Sequence, residues 1–388
     1  MRSGAPAPRS VAREHGVSRP VSTRYVLPMD DSSDPAVVTW APGRVNLIGE
    51  HTDYSGGLVL PIAIQFGITV AISSAAGEIT LGSEGFGEAQ TVPADGSGAA
   101  ATGWMRYVQA VAAELAAAGR PPVGLVGTIS SDLPAGSGLS SSAAVEVAVA
   151  LALCAVADFE LEPLELALAC QRAELRAVGV PCGILDQAAC VLGREGSAIL
   201  LDCATLEHRR ISMPPDAGWL IVDSGVGRSL ENTAYGERRS QLEHAMQLVG
   251  AERSTEVDRS SLVGLDDVSW RRLRHVVSEN ERVREFATAL EQGDLAAAGR
   301  LLGESHASLR DDYEVSIPEL DLLVELAGAA GARGARLLGG GFGGSVLVLV
   351  DAQRSGEIAV AIAAEYERRT GKGGRTLAVR PSVGALVR

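Results

Sequence analysis

The chain of 388 residues nearly lacks lysine, and Lys372 is the single lysine among its 34 basic residues. Schiff-base chemistry and the Walker-type phosphate-binding loop both depend on a lysine amine. Lys372 lies in the sequence TGKGGR near the C-terminus, which does not match the Walker pattern. The scarcity of lysine therefore argues against both of these mechanism classes.

Paired cysteines and long apolar runs are missing as well. The five cysteines are an odd number and include no Cys-x-x-Cys pair, which fits neither a disulfide framework nor a zinc site. The longest apolar stretches, such as 145–157, are too short or too interrupted to cross a bilayer, and residues 1–35 lack the apolar centre of a secretory signal. These absences predict reduced thiols, a cytoplasmic protein and a poorly ordered extension at residues 1–35.

Acidic residues outnumber basic ones by 48 to 34, which gives a formal net charge of −14. An acidic chain without a basic block repels nucleic acid and anionic membranes, because clustered Lys and Arg supply most of that affinity. We therefore expect no nucleic-acid or membrane partner, and a monomer that binds small molecules. The length and the 46% hydrophobic content predict a globular protein of two domains, with a weak boundary that separates residues 36–210 from 211–388.

The apolar periodicity predicts alternating strands and helices. β-branched and apolar residues predict strands at Val37–Trp40, Leu58–Ser73 and Val123–Ser130. Helical spacing predicts a helix at Trp104–Ala118 and another that begins near Ala143. In the second half the same patterns predict helices at Asn232–Gly250, Trp270–Gly293, Asp294–Arg310, Pro318–Ala330 and Glu357–Thr370, and strands at Ser345–Val350 and Arg375–Arg380.

A glycine-rich loop opens the predicted helix near Ala143. It reads Gly136-Ser137-Gly138-Leu139-Ser140-Ser141-Ser142. Such a loop presents free backbone N–H groups and the positive end of a helix dipole, which together bind phosphate without any lysine. The hydroxyls of Ser140 to Ser142 could also serve Mg²⁺, which prefers oxygen ligands. A serine N-cap after a flexible link explains the same loop equally well.

Charged side chains are concentrated in the loop at 43–57, which contains Arg44, Glu50, His51 and Asp53. Donors and acceptors that converge on one turn would distinguish the hydroxyl stereochemistry of a polyhydroxylated ligand. A solvated hairpin loop is the simpler interpretation on composition alone.

Asp186 is a single carboxylate among apolar neighbours. In a water-poor cleft it could accept a proton from a substrate hydroxyl or orient that hydroxyl. The helix dipole explains an aspartate in the first turn of a helix just as well, so both interpretations stay open.

A second glycine run, Gly339–Gly344, precedes the predicted strand Ser345–Val350. A dinucleotide-binding fingerprint requires glycines that follow a strand and open a helix, so this run does not fit it. We interpret it as a loop where backbones approach closely. The histidines outside the first loop lack metal-ligand spacing and receive no role: His15, His208, His244, His275 and His306.

Three of these segments resemble the motifs of the galactokinases in the GHMP small-molecule kinase superfamily. Residues 41–54, APGRVNLIGEHTDY, resemble the family signature, residues 133–144 its phosphate loop and residues 338–345 its third motif. The likeness continues through 181–187, Tyr235 and 305–316, so it covers about residues 37–350.

The resemblance implies a two-domain α+β GHMP-kinase fold with the active site in the cleft between the domains. The N-terminal domain would be a ribosomal-protein-S5-like βαβ unit and the C-terminal domain a ferredoxin-like α/β unit. The implied reaction is the ATP- and Mg²⁺-dependent phosphorylation of the C1 hydroxyl of α-D-galactose, by direct in-line transfer, to the galactose 1-phosphate of the Leloir pathway.

Two alternatives stay open beside that reaction. One is a sibling sugar 1-kinase that acts on N-acetylgalactosamine or arabinose, against which Asp53 argues by resemblance. The other is a catalytically silent regulator that binds galactose and ATP. The complete loop sequence Ser140-Ser-Ser-Ala-Ala144, together with Arg44 and Asp186, argues against such a regulator.

The same resemblance implies a role for each candidate residue. Asp186 would be the catalytic base or hydroxyl-orienting carboxylate, with Arg44 paired to it. Ser141 and Glu174 would be the magnesium ligands. The implied sugar-binding residues are Arg44, Glu50, His51, Asp53, Gly183, Asp186 and Tyr235. The implied nucleotide-binding residues are Gly136, Ser137, Gly138, Leu139, Ser140, Ser141, Ser142, Trp104 and Tyr107.

The sequence departs from the family pattern at two positions, where Ser55 and Arg106 stand in place of asparagine. Ser55 follows the sugar signature, and Arg106 lies between Trp104 and Tyr107. We therefore expect an effect of Ser55 to fall on sugar preference, and an effect of Arg106 to fall on the contacts with adenine.

Overall fold

The computed structural model describes residues 36–388 with gaps at residue 84 and at 135–137, 180–181 and 228–230, and it gives only the backbone of 231–233. The predicted extension at 1–35 and the predicted phosphate-loop residues Gly136 and Ser137 lie outside the described residues.

Strands and helices alternate along the chain. Their bounds, in chain order, are β1 Val37–Asn46, β2 Leu58–Val59, β3 Pro61–Ala75, β4 Glu78–Ser83, β5 Gln90–Pro93, α1 Met105–Ala117, β6 Gly124–Ser131, α2 Ser141–Val156, α3 Pro163–Val178, α4 Leu185–Leu192, β7 Ser197–Asp202, β8 His208–Ser212, β9 Ala217–Asp223, α5 Glu231–Val249, α6 Asp267–Gln292, α7 Leu295–Asp311, α8 Pro318–Ala329, β10 Gly334–Leu338, β11 Ser345–Asp351, α9 Ser355–Thr370, β12 Arg375–Val379 and β13 Leu386–Val387.

A six-stranded sheet in the order β13-β1-β3-β6-β4-β5 forms the first layer. Helix α2 packs on it, α1 and α3 pack against α2 and against each other, and α2 is apolar on most sides because the sheet and the neighbouring helices enclose it. The hydroxyl of Thr39 donates to the carbonyl oxygen of Ala148 across 2.7 Å, which ties β1 to α2. This contact fixes the helix that begins at the glycine loop relative to the strand that carries Arg44.

The second half of the chain forms a four-stranded antiparallel sheet in the order β10-β11-β9-β12. Residues 345–350 of β11 are all buried, since side chains from helices and from the first half of the chain cover its two faces. One apolar cluster joins both halves and contains Leu47 and Ile62 beside Ile221 and Leu347. The loop that follows β1 therefore lies at the junction between the two sheets.

The strands and helices predicted from periodicity are confirmed, with ends displaced by a few residues, except that the single strand predicted at Leu58–Ser73 is two strands, β2 and β3, which belong to different sheets. One bound was wrong in a way that matters: β1 continues from Trp40 to Asn46 through a register shift between Pro42 and Arg44. Arg44 is therefore held on a strand, opposite Ala63, and not in a loop. The pattern failed here because a Pro-Gly pair interrupts the apolar alternation.

The division at 210/211 stays a prediction, and β8 runs across that point. The chain also returns to its first sheet at its end, where Thr39 of β1 pairs with Val387 of β13. Across the described residues, no helix has both the length and the apolar character that a membrane crossing requires.

Candidate active site

Arg44, Asp186 and the glycine loop meet at one point of the structure. The Nε of Arg44 donates to Asp186 Oδ1 across 2.6 Å, and its Nη1 donates to the carbonyl oxygen of Gly138 across 2.9 Å. The hydroxyl of Ser140 donates to Asp186 Oδ2. Burial alone would lower the pKa of Arg44, but the charges of Asp186 and Glu50 outweigh burial and raise it above its ordinary value.

The glycine loop reaches this point because its backbone lies directly against β1. The Arg44 N–H donates to the carbonyl oxygen of Leu139 across 3.1 Å. A Cβ atom on Gly43 would lie 2.7 Å from that same oxygen, so the approach requires glycine. Leu139 is buried, and Ser140 adopts the left-handed conformation with φ of 56° just before α2 begins. Strand, loop and helix are thus locked to one another.

Asp53 faces this pair from the short 3₁₀ turn at Asp53–Ser55. Burial and then the charges of Asp186 and Glu50 raise the pKa of Asp53 to about 7. Its carboxylate lies against Gly183, where an added Cβ would come within 1.9 Å of Asp53 Oδ2. Two of the predicted sugar residues are therefore in direct contact, close to the predicted base.

The contact between Asp53 and Gly183 gives a testable prediction. We expect Gly183→Ala to raise the KM for galactose, the substrate that the resemblance implies, by about tenfold or more, roughly 1.4 kcal/mol of binding, because the new methyl group must displace the Asp53 carboxylate. The KM for ATP should change less than about twofold, and initial-rate kinetics measure both. Gly303→Ala is the matched control, since a Cβ there meets no heavy atom within 4 Å. An unchanged KM for galactose would contradict the prediction.

Glu50 is buried and both of its carboxylate oxygens are used. Oε1 accepts from Arg336, with both terminal nitrogens at 3.0 Å, and from the Gly339 N–H at 2.8 Å, while Oε2 accepts from Asn46 Nδ2 at 3.1 Å. Burial would raise the pKa of Glu50, but these partners and the charge of Arg44 lower it below its usual range. Glu50 is therefore an ionised link between the loop that follows β1, residues 47–57 (the sugar loop), and the second sheet.

His51 anchors an aromatic cluster on the other side of Asp53. It adopts the left-handed conformation with φ of 64°, and its Nδ1 lies 2.8 Å from the hydroxyl oxygen of Tyr54. The rings of Tyr235, from α5, and of Tyr313 lie 5.6 Å and 4.6 Å from the His51 ring. Burial, and then the neighbouring His275, lower the pKa of His51 to about 3, so the imidazole is neutral.

Helix α6 holds the backbone of the sugar loop, a role that the sequence did not indicate. His275 Nε2 lies 3.0 Å from the carbonyl oxygen of Glu50, Glu279 Oε1 accepts from the Gly49 N–H at 3.0 Å, and Asn280 Oδ1 accepts from the Leu58 N–H at 2.8 Å. These three residues lie more than 220 positions from the loop. Their polar identity at buried positions of an amphipathic helix was the only available signal.

Glu174, on α3, is the second carboxylate beside the glycine loop. Its Oε1 accepts from the hydroxyl of Ser142 at 2.9 Å, and its Oε2 from Cys182 Sγ at 3.2 Å and Gln187 Nε2 at 2.7 Å. Ser141, the other predicted magnesium ligand, is exposed at the first residue of α2. The hydroxyl that contacts Glu174 is thus that of Ser142, and Ser141 as a ligand stays a prediction.

Glu146 lies completely buried beneath this carboxylate and accepts from Gln187 Nε2 at 3.0 Å. Burial and then the charge of Glu174 raise the pKa of Glu146 from 4.5 to about 9. Folding therefore takes up a proton at neutral pH. The stability contribution of this proton is full below about pH 4.5 and is lost as the pH rises through about 9.

We accordingly expect Glu146→Gln to flatten the decline of stability with pH. The free energy of unfolding of the variant relative to the native chain should rise by about 1 kcal/mol per pH unit between pH 5.5 and 8, because the amide cannot ionise on unfolding. Urea unfolding at several pH values measures this difference. Parallel pH profiles for the two proteins would show that Glu146 ionises alike in both states.

The predicted adenine contacts lie at the start of α1. The guanidinium of Arg106 stacks 5.0 Å above the ring of Tyr107 and donates to its hydroxyl at 3.2 Å. Trp104 packs against the apolar core between the six-stranded sheet and its helices, and its buried indole N–H has no acceptor in the described part of the chain. Arg106 therefore covers Tyr107, so the departure from the family pattern changes the surface of one predicted nucleotide contact.

The other departure, Ser55, is absorbed into the protein interior. Its hydroxyl donates to the carbonyl oxygen of Thr52 at 3.0 Å, and its Oγ lies 2.9 Å from Ser254 Oγ. Ser254 also accepts from Asn280 Nδ2 at 3.1 Å, so the hydroxyl of Ser55 joins the loop to α6. The predicted effect of Ser55 on sugar preference remains a prediction.

The run Gly339–Gly344 is the loop between β10 and β11, which confirms that its glycines precede a strand. A Cβ on Gly341 would lie 2.2 Å from the carbonyl oxygen of Val315, so the predicted close approach of backbones is present. No group of three or more His, Cys, Asp and Glu side chains in the described ranges is arranged to hold a metal ion by itself.

Comparison with known proteins identifies the family. Residues 29–74 match the family described as "Galactokinase galactose-binding signature", residues 106–194 match "GHMP kinases N terminal domain" and residues 286–368 match "GHMP kinases C terminal". The galactokinase of Pyrococcus furiosus is 40% identical over 347 residues, which are 89% of this chain and 98% of the relative. The galactokinase of Thermococcus kodakarensis is 41% identical over 90% of this chain and 99% of its own length.

Solved structures agree with these matches. The structure of Lactococcus lactis galactokinase complexed with galactose superposes with a TM-score of 0.86 at 33% identity, over 90% of this chain and 94% of that one. The mevalonate kinase of Methanococcus jannaschii, at 19% identity and a TM-score of 0.64, shares the fold. The predicted α+β GHMP-kinase fold is therefore confirmed, and the chain belongs to the galactokinases of the GHMP kinase superfamily.

Proposed function

We propose that the protein transfers the γ-phosphoryl group of ATP to the C1 hydroxyl of α-D-galactose. The observation that carries this proposal is the contact of Arg44 with Asp186 at the end of the glycine loop, directly beside the loop with His51 and Asp53. An acceptor carboxylate, a phosphate-binding helix start and a sugar-binding loop then share one cleft. The chain belongs to the galactokinases, and this membership supports the proposed reaction.

Asp186 orients the C1 hydroxyl and accepts its proton during transfer. Arg44 keeps Asp186 in place through the 2.6 Å contact and offers its remaining N–H groups to negative charge that develops on the transferred group. Because Arg44 is held on β1 and by the carbonyl oxygen of Gly138, its cation is oriented before the substrates arrive.

The other predicted sugar-binding residues, which come from the loop after β1, from the segment before α4 and from α5, bind the sugar. Glu50, His51, Asp53, Gly183 and Tyr235 surround the space in front of Asp186, with the rigid backing of α6 and Arg336. The Nδ1 of the neutral His51 is taken by Tyr54, so its Nε2 offers a single donor or acceptor, while Asp53, with a pKa of about 7, accepts hydroxyl hydrogen bonds. Such a set distinguishes sugars by the direction of their hydroxyl groups.

ATP is bound by Gly136 to Ser142, with Trp104 and Tyr107 toward the base. The donor set around Glu174 fits Mg²⁺, because this ion commonly takes one or two protein oxygens and completes its shell with phosphates and water. Glu174 and a hydroxyl of Ser141 or Ser142 would hold it. When bound, Mg²⁺ would offset part of the charge of the phosphates, in addition to the backbone N–H groups and the helix start.

We also propose that the chain works as a cytoplasmic monomer. The cysteines of the described residues are free, which suits a reducing compartment. Size-exclusion chromatography with light scattering measures the oligomeric state, and a dimer mass would overturn this part of the proposal.

A sugar panel tests the reaction. ADP release is measured with galactose, N-acetylgalactosamine, arabinose and glucose at saturating MgATP, and galactose is expected to give the highest kcat/KM. Turnover with a sibling sugar but not with galactose would replace the proposal with a sibling 1-kinase. Binding of galactose and ATP without any ADP release would indicate a non-catalytic regulator.

A further inference from the structure

Gln187 bridges two carboxylates next to the proposed catalytic residue. It is completely buried, and its Nε2 lies 2.7 Å from Glu174 Oε2 and 3.0 Å from Glu146 Oε2. A primary amide carries two N–H hydrogens, so one nitrogen donates to both carboxylates. The reversed amide would place its carbonyl oxygen at 2.7 Å from Oε2 of Glu174, with no donor between them, which fixes the orientation shown.

Glu146 makes this bridge asymmetric. It is completely buried, and its Oε1 has no hydrogen-bond partner among the described residues. A carboxylate in such surroundings keeps its proton, and the pKa of about 9 agrees with a neutral acid. Glu146 is therefore an uncharged anchor beneath Glu174.

The bridge connects the sugar-binding side of the proposed site, which contains Asp186, with the nucleotide-binding side, which contains Glu174. Gln187 directly follows Asp186 in the first turns of α4, while Glu174 belongs to α3 and contacts Ser142 at the start of α2. Each movement of α4 that shifts Asp186 therefore also shifts the group that orients Glu174. Neither Gln187 nor Glu146 has a role in the reaction described so far.

We propose that Gln187 is a positioning residue that orients the Glu174 carboxylate toward the metal–nucleotide substrate. It does so by a hydrogen bond to Glu174 and a second one to the neutral side chain of Glu146. This inference rests on the proposed function, in which Glu174 meets Mg²⁺. Groups that orient a metal ligand commonly change metal affinity 10- to 100-fold when removed. Gln187 orients Glu174 without adding a charge, whereas a lysine or an arginine in its place would add one.

The test compares metal-dependent with metal-free nucleotide binding. Calorimetry measures the dissociation constant of ADP in MgCl₂ and in EDTA, and their ratio is the magnesium enhancement. In Gln187→Leu, which removes both hydrogen bonds at similar volume, we expect the enhancement to fall about tenfold or more, with metal-free ADP binding within about twofold. The Mg²⁺ concentration for half-maximal turnover should rise in parallel, with the KM for galactose nearly unchanged.

Three further variants separate the explanations. Gln109→Leu removes a buried glutamine of α1 that bonds only to residues 97–101, and it should keep the native enhancement. Gln187→Asn keeps the amide but cannot reach both carboxylates, so it should lose part of the enhancement and serves if the leucine variant does not fold. Glu174→Gln is the reference for loss of the ligand itself.

The outcomes distinguish the inference from the function on which it rests. A native enhancement in Gln187→Leu, with a loss in Glu174→Gln, overturns the positioning role and leaves the metal site intact. A native enhancement in Glu174→Gln overturns the proposed metal ligand, and the positioning role with it, even if Gln187→Leu loses enhancement. An equal loss in Gln109→Leu and Gln187→Leu reduces the effect to general destabilisation and also overturns the positioning role.

Discussion

Replacement of Asp186 by alanine is expected to lower kcat by about 10³-fold, with ATP affinity within about threefold of the native value. The carboxylate contacts Arg44 and Ser140 and stands where the acceptor hydroxyl is proposed to lie. Its removal takes away an interaction made with the reacting group and leaves the nucleotide contacts in place. The loss should therefore appear in kcat and not in nucleotide binding.

Asp186→Asn separates shape from charge. The amide keeps the volume and accepts from one neighbour, but it cannot accept a proton or balance the Arg44 guanidinium. We expect a loss close to that of alanine, because proton acceptance is the function that both variants lack. ADP release measures kcat, and calorimetry measures the affinity for ATP.

Asp351→Ala is the matched control for these variants. Asp351 is the last residue of β11, in the second sheet, and it pairs with Arg333 in an exposed ion pair. Its loss should leave kcat unchanged, since exposed pairs contribute little. Near-native turnover in Asp186→Ala would remove Asp186 from the mechanism.

Replacement of Arg336 by methionine is expected to lower the free energy of unfolding by about 3–5 kcal/mol, because it leaves the buried Glu50 carboxylate without its cation. Arg336 is completely buried on β10. It donates to Glu50 and also to the backbone oxygen of Leu47 at 2.7 Å, across 289 residues of sequence. Urea unfolding followed by circular dichroism measures the loss.

Arg333→Met, three residues earlier on the same hairpin, is the control. Its pair with Asp351 is 45% and 35% exposed, and we expect a change below about 1 kcal/mol. The double variant Glu50→Gln with Arg336→Met should recover part of the loss, because no unpaired charge then stays buried. Equal losses in the two arginine variants would show that burial of the Arg336–Glu50 pair does not decide its effect on stability.

Replacement of Arg336 should also weaken the binding of galactose. Glu50 is the proposed sugar residue that the Arg336 contact orients, and Gly339 donates to the same oxygen. A variant that still folds would therefore have a raised KM for galactose. Stability and substrate binding are coupled here because one carboxylate serves both.

Local sequence singled out three segments of the predicted site, and the resemblance to the galactokinases then gave them roles. They are the glycine loop before α2, the loop after β1 and Asp186 in the first turn of α4, whose composition departs from a packed strand or helix. The close approach at Gly341 followed from the same kind of pattern, since only glycine fits beside Val315.

Long-range partners could not be predicted in this way. His275, Glu279 and Arg336 support the sugar loop from more than 220 residues away. A buried polar residue on an otherwise ordinary helix or strand looks like a surface residue in a single sequence. Only the packing of α6 and β10 against the loop shows that each of them satisfies a backbone or carboxylate group.

The sequence by itself predicted the kind of phosphate site, because a chain with Lys372 as its single lysine carries no Walker-type loop and its glycine loop opens a helix. It also determined the motifs that place the chain among the galactokinases. The tertiary structure decided which hydroxyl meets Glu174, that Arg44 stands on a strand, and that Gln187 links Glu174 to Glu146. These facts depend on distances between separate elements, and such distances are set by packing and not by local pattern.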